Sequence, residues 1–107
     1  MEQLSPEALR RWIDDATRPA PVLLDVRETW EMERCRLANV VHIPMGTIPA
    51  RAAELDATRP IVVICHHGGR SAQVAMFLTR QGFTDVYNLQ GGMHAWATRV
   101  EPGMPTY

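Results

Sequence analysis

The clearest structural signal in the sequence is the segment at residues 60–71, PIVVICHHGGRS. Its β-branched run at 61–64 follows a proline and is apolar throughout, which is typical of a strand buried on both faces in the middle of a parallel sheet. Cys65 ends the run and begins a short loop. Ser71 is expected to cap the helix that follows, and Gly82 is expected just after its last turn. The segment therefore predicts a strand, a loop and a helix, with a cysteine at the junction.

The alternation of strand and helix continues on both sides of this segment. Ser5, Pro6 and Glu7 mark a helix start, because they supply a hydroxyl cap, a proline suited to the first turn and an acid at the positive end of the helix dipole. The other predicted elements are the rest of that helix to about residue 15, strands at 22–26, 40–43 and 85–89, and helices at 28–35, 49–55 and 92–96. Such alternation implies right-handed crossovers. We therefore expect an α/β fold with a central, mostly parallel sheet and helices on both faces.

Length and composition indicate one globular domain over residues 1–107, with an irregular tail at 101–107. Hydrophobic residues make up 46% and charged residues 21%, which excludes a disordered or collagen-like chain. The net charge of -1 comes without a basic run, so no nucleic-acid partner is expected. The first residues lack a signal peptide, and no apolar run approaches the roughly 20 residues that cross a bilayer. We expect a cytoplasmic monomer with reduced thiols, no cofactor and no membrane partner.

The loop after the central predicted strand is the expected location of the functional site. Ligands of open α/β sheets bind beyond the carboxyl ends of the strands, and Cys65 lies there. A thiol at a helix N-terminus beside an arginine is favoured as the thiolate, because N–H dipoles and positive charge stabilise it. Gly68 and Gly69 are predicted to adopt positive φ, so that successive N–H groups turn towards an anion. Arg70 would complete this anion site.

Several segments resemble signatures of the rhodanese family of sulfurtransferases. The loop at 65–71 is similar to that family's active-site loop. The other matching segments are LDVR at 24–27 with WE at 30–31, residues 41–44, and NLQGG at 88–92 with AW at 95–96. They occur in the family's order from about residue 22 to residue 97. The resemblance implies a single rhodanese-like domain.

The resemblance also implies a two-step sulfur transfer through Cys65. The thiolate would attack the outer sulfur of a small anionic donor such as thiosulfate. The resulting persulfide would pass its sulfur to a thiophilic acceptor, which is cyanide or a thiol, including the thiol of a protein. Arg70 would be the second catalytic residue, because its charge stabilises the donor and the persulfide. The substrate-binding residues implied by the loop are His66, His67, Gly68, Gly69 and Ser71.

The chain departs from the family's usual pattern before the second predicted strand. It has Cys35 and Arg36 where the family has Gly-His, and Asn39 where the family has Gly. The turn at this point is therefore expected to differ. Cys35 is interpreted as an inert core thiol, because cysteine is among the most buried residue types.

Other notable side chains are given structural roles. Asp25 and Arg27 match the family's Asp-Val-Arg segment, and we expect Arg27 to form a structural ion pair, for example with Glu31 or Glu33. The aromatic residues interpreted as core are Trp30, Phe77 and Trp96.

Two other functions are consistent with parts of the pattern. Phosphatases and arsenate reductases also hold an oxyanion in a Cys-Arg loop, but those loops place five or more residues between the two, whereas four separate Cys65 from Arg70. Non-catalytic binding modules built on the same fold commonly lack the cysteine, which this chain retains.

A metal site is the last alternative. Cys65, His66 and His67, with His42 or His94, carry the donor atoms that zinc and copper prefer. Adjacent residues seldom direct both side chains at one ion, and the chain lacks paired ligand spacing. We therefore expect no metal site.

Overall fold

A computed structural model describes the whole chain, Met1–Tyr107. The strands are β1 (Glu2–Leu4), β2 (Val22–Asp25), β3 (Val41–His42), β4 (Ile61–Ile64) and β5 (Val86–Leu89). The helices are α1 (Pro6–Asp14), α2 (Thr29–Arg34), α3 (Ile48–Arg51), α4 (Gly69–Arg80) and α5 (Gly92–Arg99). Short 3-10 turns at Met45–Thr47 and Ala52–Glu54 flank α3, so the predicted helix at 49–55 is shorter and tighter than expected.

The five strands form one parallel sheet in the order β1-β5-β4-β2-β3. The central strand is β4, and all its residues are buried, as its β-branched sequence predicts. Asp25 pairs in register with Ile64, and Val63 pairs with Asn88. The carboxyl ends of β2, β4 and β5 therefore meet at one edge of the sheet.

Two apolar clusters cover the two faces of the sheet. Val63 and Ile61 of β4 pack with Val74 and Leu78 of α4 in the first cluster. The second contains the alternate β4 residues together with side chains of α1 and α5; it includes Leu9, Trp12, Val62, Ile64, Met93 and Trp96. Helices lie on both faces, which confirms the predicted α/β architecture.

The N-terminal strand β1 was not predicted. Its sequence, EQL, has a single apolar residue, because an edge strand with exposed side chains needs no hydrophobic pattern. It pairs with β5, with Gln3 opposite Asn88. The helix start that follows is as predicted: Ser5 is the N-cap of α1, and its Oγ accepts the N–H of Ala8 at 3.1 Å.

The predicted start of α4 was wrong. The helix begins at Gly69, with Gly68 as its N-cap at φ +100°, and Ser71 lies inside the first turn, where its side chain is fully buried. Of the two loop glycines, only Gly68 has the predicted positive φ. Gly69 is the first residue of α4, and its φ is not positive. The predicted end is confirmed, because Gly82 follows the helix at φ +99°.

Three smaller expectations had different outcomes. Trp96 is fully buried and Phe77 is half-buried, but Trp30 is 56% exposed and is not a core residue. Asn39 adopts φ +61°, the left-handed conformation that a glycine takes without strain, so the turn keeps a glycine-like backbone despite the substitution. No helix of the chain combines the length and apolar character needed to cross a membrane.

Candidate active site

Cys65 lies at the carboxyl end of the central strand, as the sequence predicts. The residue is 1% exposed and its thiol is free. Its Sγ accepts hydrogen bonds from the backbone N–H of Gly68 at 3.1 Å and from the Oγ of Ser71 at 3.2 Å. The N-cap and the first turn of α4 thus supply two donors to one sulfur, an arrangement that stabilises negative charge there.

The hydroxyl of Ser71 belongs to a longer hydrogen-bond network. It also contacts Oδ1 of Asn88, while the amide of Asn88 donates to the carbonyl of Gly68 at 3.1 Å and to Oε1 of Gln3 at 3.0 Å. Those two bonds fix the Asn88 oxygen as an acceptor facing Ser71. Ser71 has one hydroxyl proton, so it donates either to Asn88 or to Cys65 at any one time, and residues on β1, β5 and α4 together position this hydroxyl.

Gly92 brings α5 against the loop. Gly92 has φ +61°, and a Cβ there would lie 2.4 Å from the carbonyl oxygen of Cys65. This close approach allows the N–H of Met93 to donate to Cys65 O at 2.8 Å and the N–H of His94 to donate to His66 O at 3.0 Å. The backbone of the loop is therefore held from both α4 and α5.

Arg70 is held by Glu31 of α2. Its Nη1 and Nη2 donate to the two carboxylate oxygens at 2.6 and 2.7 Å, and Glu31 is 3% exposed. These hydrogen bonds lower the pKa of Glu31 from 4.5 to about 2. The hydrogen bonds to Glu31, with the nearby charges of Glu31 and Cys65, hold the pKa of Arg70 above its usual value. A carboxylate therefore already neutralises the arginine expected to bind an anion.

The expected structural ion pair of Arg27 is present, but its partner is Asp25, and the example partners Glu31 and Glu33 were wrong. Arg27 pairs with Asp25, two residues away, with Nη2 at 2.8 Å and Nε at 2.9 Å from the carboxylate oxygens, and both side chains are fully buried. Burial opposes the charge, but hydrogen bonds with Asp25 and Tyr107 outweigh it and hold the pKa of Arg27 above its usual value. The carboxylate of Glu31 pairs with Arg70 instead.

Tyr107, in the irregular tail, lies against the loop. Its ring stacks on His66 with centroids 3.9 Å apart, and its hydroxyl accepts from Nη1 of Arg27 at 3.0 Å and donates to Glu31 at 2.8 Å. Burial and the hydrogen bond to the Glu31 carboxylate raise the pKa of Tyr107 to about 12. The tail is irregular, as predicted, but it contributes directly to the surroundings of the loop.

The remaining cysteine and histidines occupy distinct places. Cys35 is buried and free, as expected of a core thiol. His66 is half-buried, and burial together with the adjacent His67 lowers the pKa of His66. His67 and His94 are exposed at the mouth of the loop, whereas Nε2 of His42 lies 2.6 Å from the carbonyl oxygen of Arg27.

Glu31, Asn88 and Tyr107 are site residues that sequence reasoning missed. Glu31 and Asn88 lie inside the segments that resemble family signatures. The sequence therefore marks these two positions but does not show which side chains they contact. Tyr107 carried no signal, because it lies in a tail without periodicity.

Replacing Glu31 with glutamine is expected to reduce stability in a pH-dependent way. The folded-state pKa of about 2 lies below the usual 4.5, so the carboxylate stabilises the fold fully above pH 4.5 and loses this effect as the pH falls towards 2. At pH 7 the loss in Glu31→Gln should be on the order of 2 kcal/mol, allowing for the partial exposure of Arg70. Urea unfolding at a series of pH values measures it.

The matched control is Glu54→Gln, which removes an exposed partner of Arg51 and should have a small effect. The difference between wild type and Glu31→Gln should shrink between pH 4.5 and pH 2. A difference that stays constant over this range would show that the Glu31 charge does not stabilise the fold.

Comparisons with known proteins agree with this architecture. The family model described as Rhodanese-like domain matches residues 5–99. The chain is 38% identical over 99 residues to the YrkF protein of Bacillus subtilis, covering 92% of this chain and 52% of that protein. It therefore spans about half the length of YrkF.

Two further relatives match over most of their length. Thiosulfate sulfurtransferase GlpE of Pseudomonas syringae pv. syringae is 39% identical over 77 residues, which cover 72% of this chain and 73% of GlpE. The crystal structure of SSP1007 from Staphylococcus saprophyticus has 30% identity and a TM-score of 0.82, with 94% of this chain and 97% of that chain covered. The family model, these relatives and the parallel sheet agree, and the chain belongs to the rhodanese-like domain family.

Proposed function

We propose that this chain is a sulfurtransferase that carries a sulfane sulfur on Cys65. The observation that carries the proposal is the position of the Cys65 sulfur, at the start of α4, with hydrogen bonds from Gly68 N–H and Ser71 Oγ. The similarity to GlpE, whose name is thiosulfate sulfurtransferase, supports the same chemistry. Both observations favour a nucleophilic thiolate over an inert core thiol.

The reaction has two balanced steps. The Cys65 thiolate attacks the outer sulfur of thiosulfate, an S–S bond forms to Cys65, and the S–S bond of the donor breaks so that sulfite leaves with its electron pair. Cyanide or a thiolate then attacks the outer sulfur of the persulfide. The bond to Cys65 breaks, the thiolate is regenerated, and thiocyanate or a new persulfide leaves.

The loop supplies hydrogen-bond donors more than free positive charge. The Gly68 N–H and the Ser71 hydroxyl face the sulfur, whereas Arg70 acts from its pair with Glu31. Arg70 is therefore proposed to hold the loop in shape as well as to stabilise the persulfide. The proposed substrate-binding residues are His66, His67, Gly68, Gly69 and Ser71.

The same geometry disfavours the phosphatase alternative. Arg and phosphate commonly pair through two parallel N–H bonds, and Glu31 already accepts one N–H from each Nη of Arg70, so fewer donors of this guanidinium remain for a phosphate dianion. The four-residue spacing from Cys65 to Arg70 also makes a smaller ring than phosphatase loops have.

Cytoplasmic location, a monomeric state and a domain of residues 1–107 stay predictions.

Intact-mass spectrometry tests the proposed function. Purified protein is measured before and after thiosulfate or a low-molecular-weight persulfide, and again after cyanide. We expect the gain of one sulfur atom from at least one donor and its loss with cyanide. Cys35→Ala, the control thiol, should keep the gain. Wild-type protein that gains no sulfur from either donor would contradict the proposal.

Removing the Ser71 hydroxyl is expected to slow persulfide formation. Ser71→Ala deletes one hydrogen bond to the charged sulfur, and a bond of this kind contributes about 1.5 kcal/mol, or roughly tenfold in rate. Stopped-flow measurement of the first turnover with thiosulfate gives the rate. Thr79→Ala, which deletes a hydroxyl bonded to Ala75 O on the same helix, is the matched control. Equal rates in both variants would remove Ser71 from the mechanism.

A further inference from the structure

Three histidines converge at the mouth of the loop. Donor nitrogens of His66, His67 and His94 all lie within 4.8 Å of one another. The rings of His66 and His67 are 3.9 Å apart between centroids, and those of His67 and His94 are 5.1 Å apart. Adjacent residues seldom direct both side chains at one ion, but in this loop His66 and His67 both place a donor nitrogen near that of His94.

The backbone fixes where these side chains start. His66 and His67 belong to the loop between β4 and α4, and His94 lies in the first turn of α5. The N–H of His94 donates to the carbonyl of His66 at 3.0 Å, and Gly92 allows this contact. The cluster therefore joins two elements that the fold already holds together.

The spacing suits a single ion after small side-chain rotations. Imidazole nitrogens bound to one tetrahedral zinc ion at about 2.0–2.1 Å lie about 3.3 Å from one another. His67 and His94 are exposed, so their side chains can turn inwards by the ångström or so required. Nε2 of His66 is buried without a hydrogen-bond partner, so this nitrogen is available to a ligand, whereas buried polar atoms are usually paired.

We propose that His66, His67 and His94 form a binding site for a divalent transition-metal ion. Imidazole is a preferred ligand of Zn²⁺, Cu²⁺ and Ni²⁺, and three protein ligands leave a coordination position open. Two of its ligands, His66 and His67, are also proposed substrate-binding residues, but the occupancy of the metal site is measurable without sulfur transfer. Bound metal would link the loop to α5.

Zinc titration of the untagged chain tests this proposal. Zn²⁺ is added in competition with a chromophoric chelator, and we expect one zinc ion per chain with a Kd in the micromolar range or below. Loss of even an outer partner of a metal ligand lowers affinity by about 10–100-fold, so His67→Ala and His94→Ala should each lower it at least tenfold. Both residues are exposed, and circular dichroism confirms that each variant folds.

Two controls separate this site from other zinc binding. His42→Asn, outside the cluster, should leave the affinity unchanged, and Cys65→Ser should keep the site. With Co²⁺ as a second probe, the histidine site gives d–d absorption without the thiolate-to-cobalt charge-transfer band. Binding only in the millimolar range, binding that survives loss of both His67 and His94, or binding that requires Cys65 would each overturn the proposal.

Discussion

Replacing Cys65 with serine is expected to lower the rate of sulfur transfer by at least about a thousandfold. The hydroxyl fits the same space and can accept the hydrogen bonds from Gly68 and Ser71, so the fold should persist. A serine without an adjacent base is barely ionised at neutral pH, and an oxygen does not form the S–S bond that stores the sulfur. Thiocyanate production from thiosulfate and cyanide measures the loss.

The matched control for this experiment is Cys35→Ala. Cys35 is also a buried free thiol, but its Sγ is 3.9 Å from Nη1 of Arg27 and it is not part of the proposed reaction. This variant should retain most of the activity. Comparable activity in Cys65→Ser and wild type would disprove the persulfide mechanism.

The second large effect is expected on stability, at the buried pair of Asp25 and Arg27. Asp25→Ala leaves the guanidinium fully buried without its carboxylate partner. Removing one partner of a buried pair costs about 3–5 kcal/mol, which is a large share of the roughly 5–15 kcal/mol that stabilises a typical domain. Denaturant unfolding with a two-state fit measures the loss.

A double variant separates the pair from its surroundings. Asp25→Leu combined with Arg27→Met removes both charges and should recover part of the loss, because no uncompensated charge remains. Recovery should be incomplete, since Arg27 also donates to Cys35 O at 2.8 Å and to Tyr107. A loss in Asp25→Ala of less than about 1 kcal/mol, as for surface pairs, would show that the pair is not desolvated.

Much of the fold could be predicted because buried strands and helices have recognisable patterns of apolar residues in the sequence. The run at 61–64 had to be a central strand, since apolar residues on both faces need cover from both sides. The cap at Ser5 and the stop at Gly82 follow from local backbone chemistry. Strand β1 was not predicted because edge strands are stabilised by backbone pairing and have little hydrophobic pattern in their sequence.

The nucleophile Cys65 could be predicted from the sequence, but the side-chain contacts that support the site could not. Cys65 is defined by local features: the strand before it, the loop glycine and the helix after it. The partners of Arg70, Ser71 and His66 come from distant parts of the chain, and one-dimensional sequence carries no distances. Capping a helix and bonding the Cys65 sulfur both use the Ser71 hydroxyl, so the sequence alone does not distinguish these two roles. The position of Gly68 as the N-cap of α4 decides between them.

The hydrogen-bond network around Cys65 also bears on the order of folding. Gln3 and Asn88 are 85 residues apart in the chain, and Glu31 and Tyr107 are 76 apart. Contacts of such separation carry a larger loop-closure entropy cost than local contacts. A chain in which strand β1 or the segment at Tyr107 is not yet in place therefore lacks these contacts around the loop.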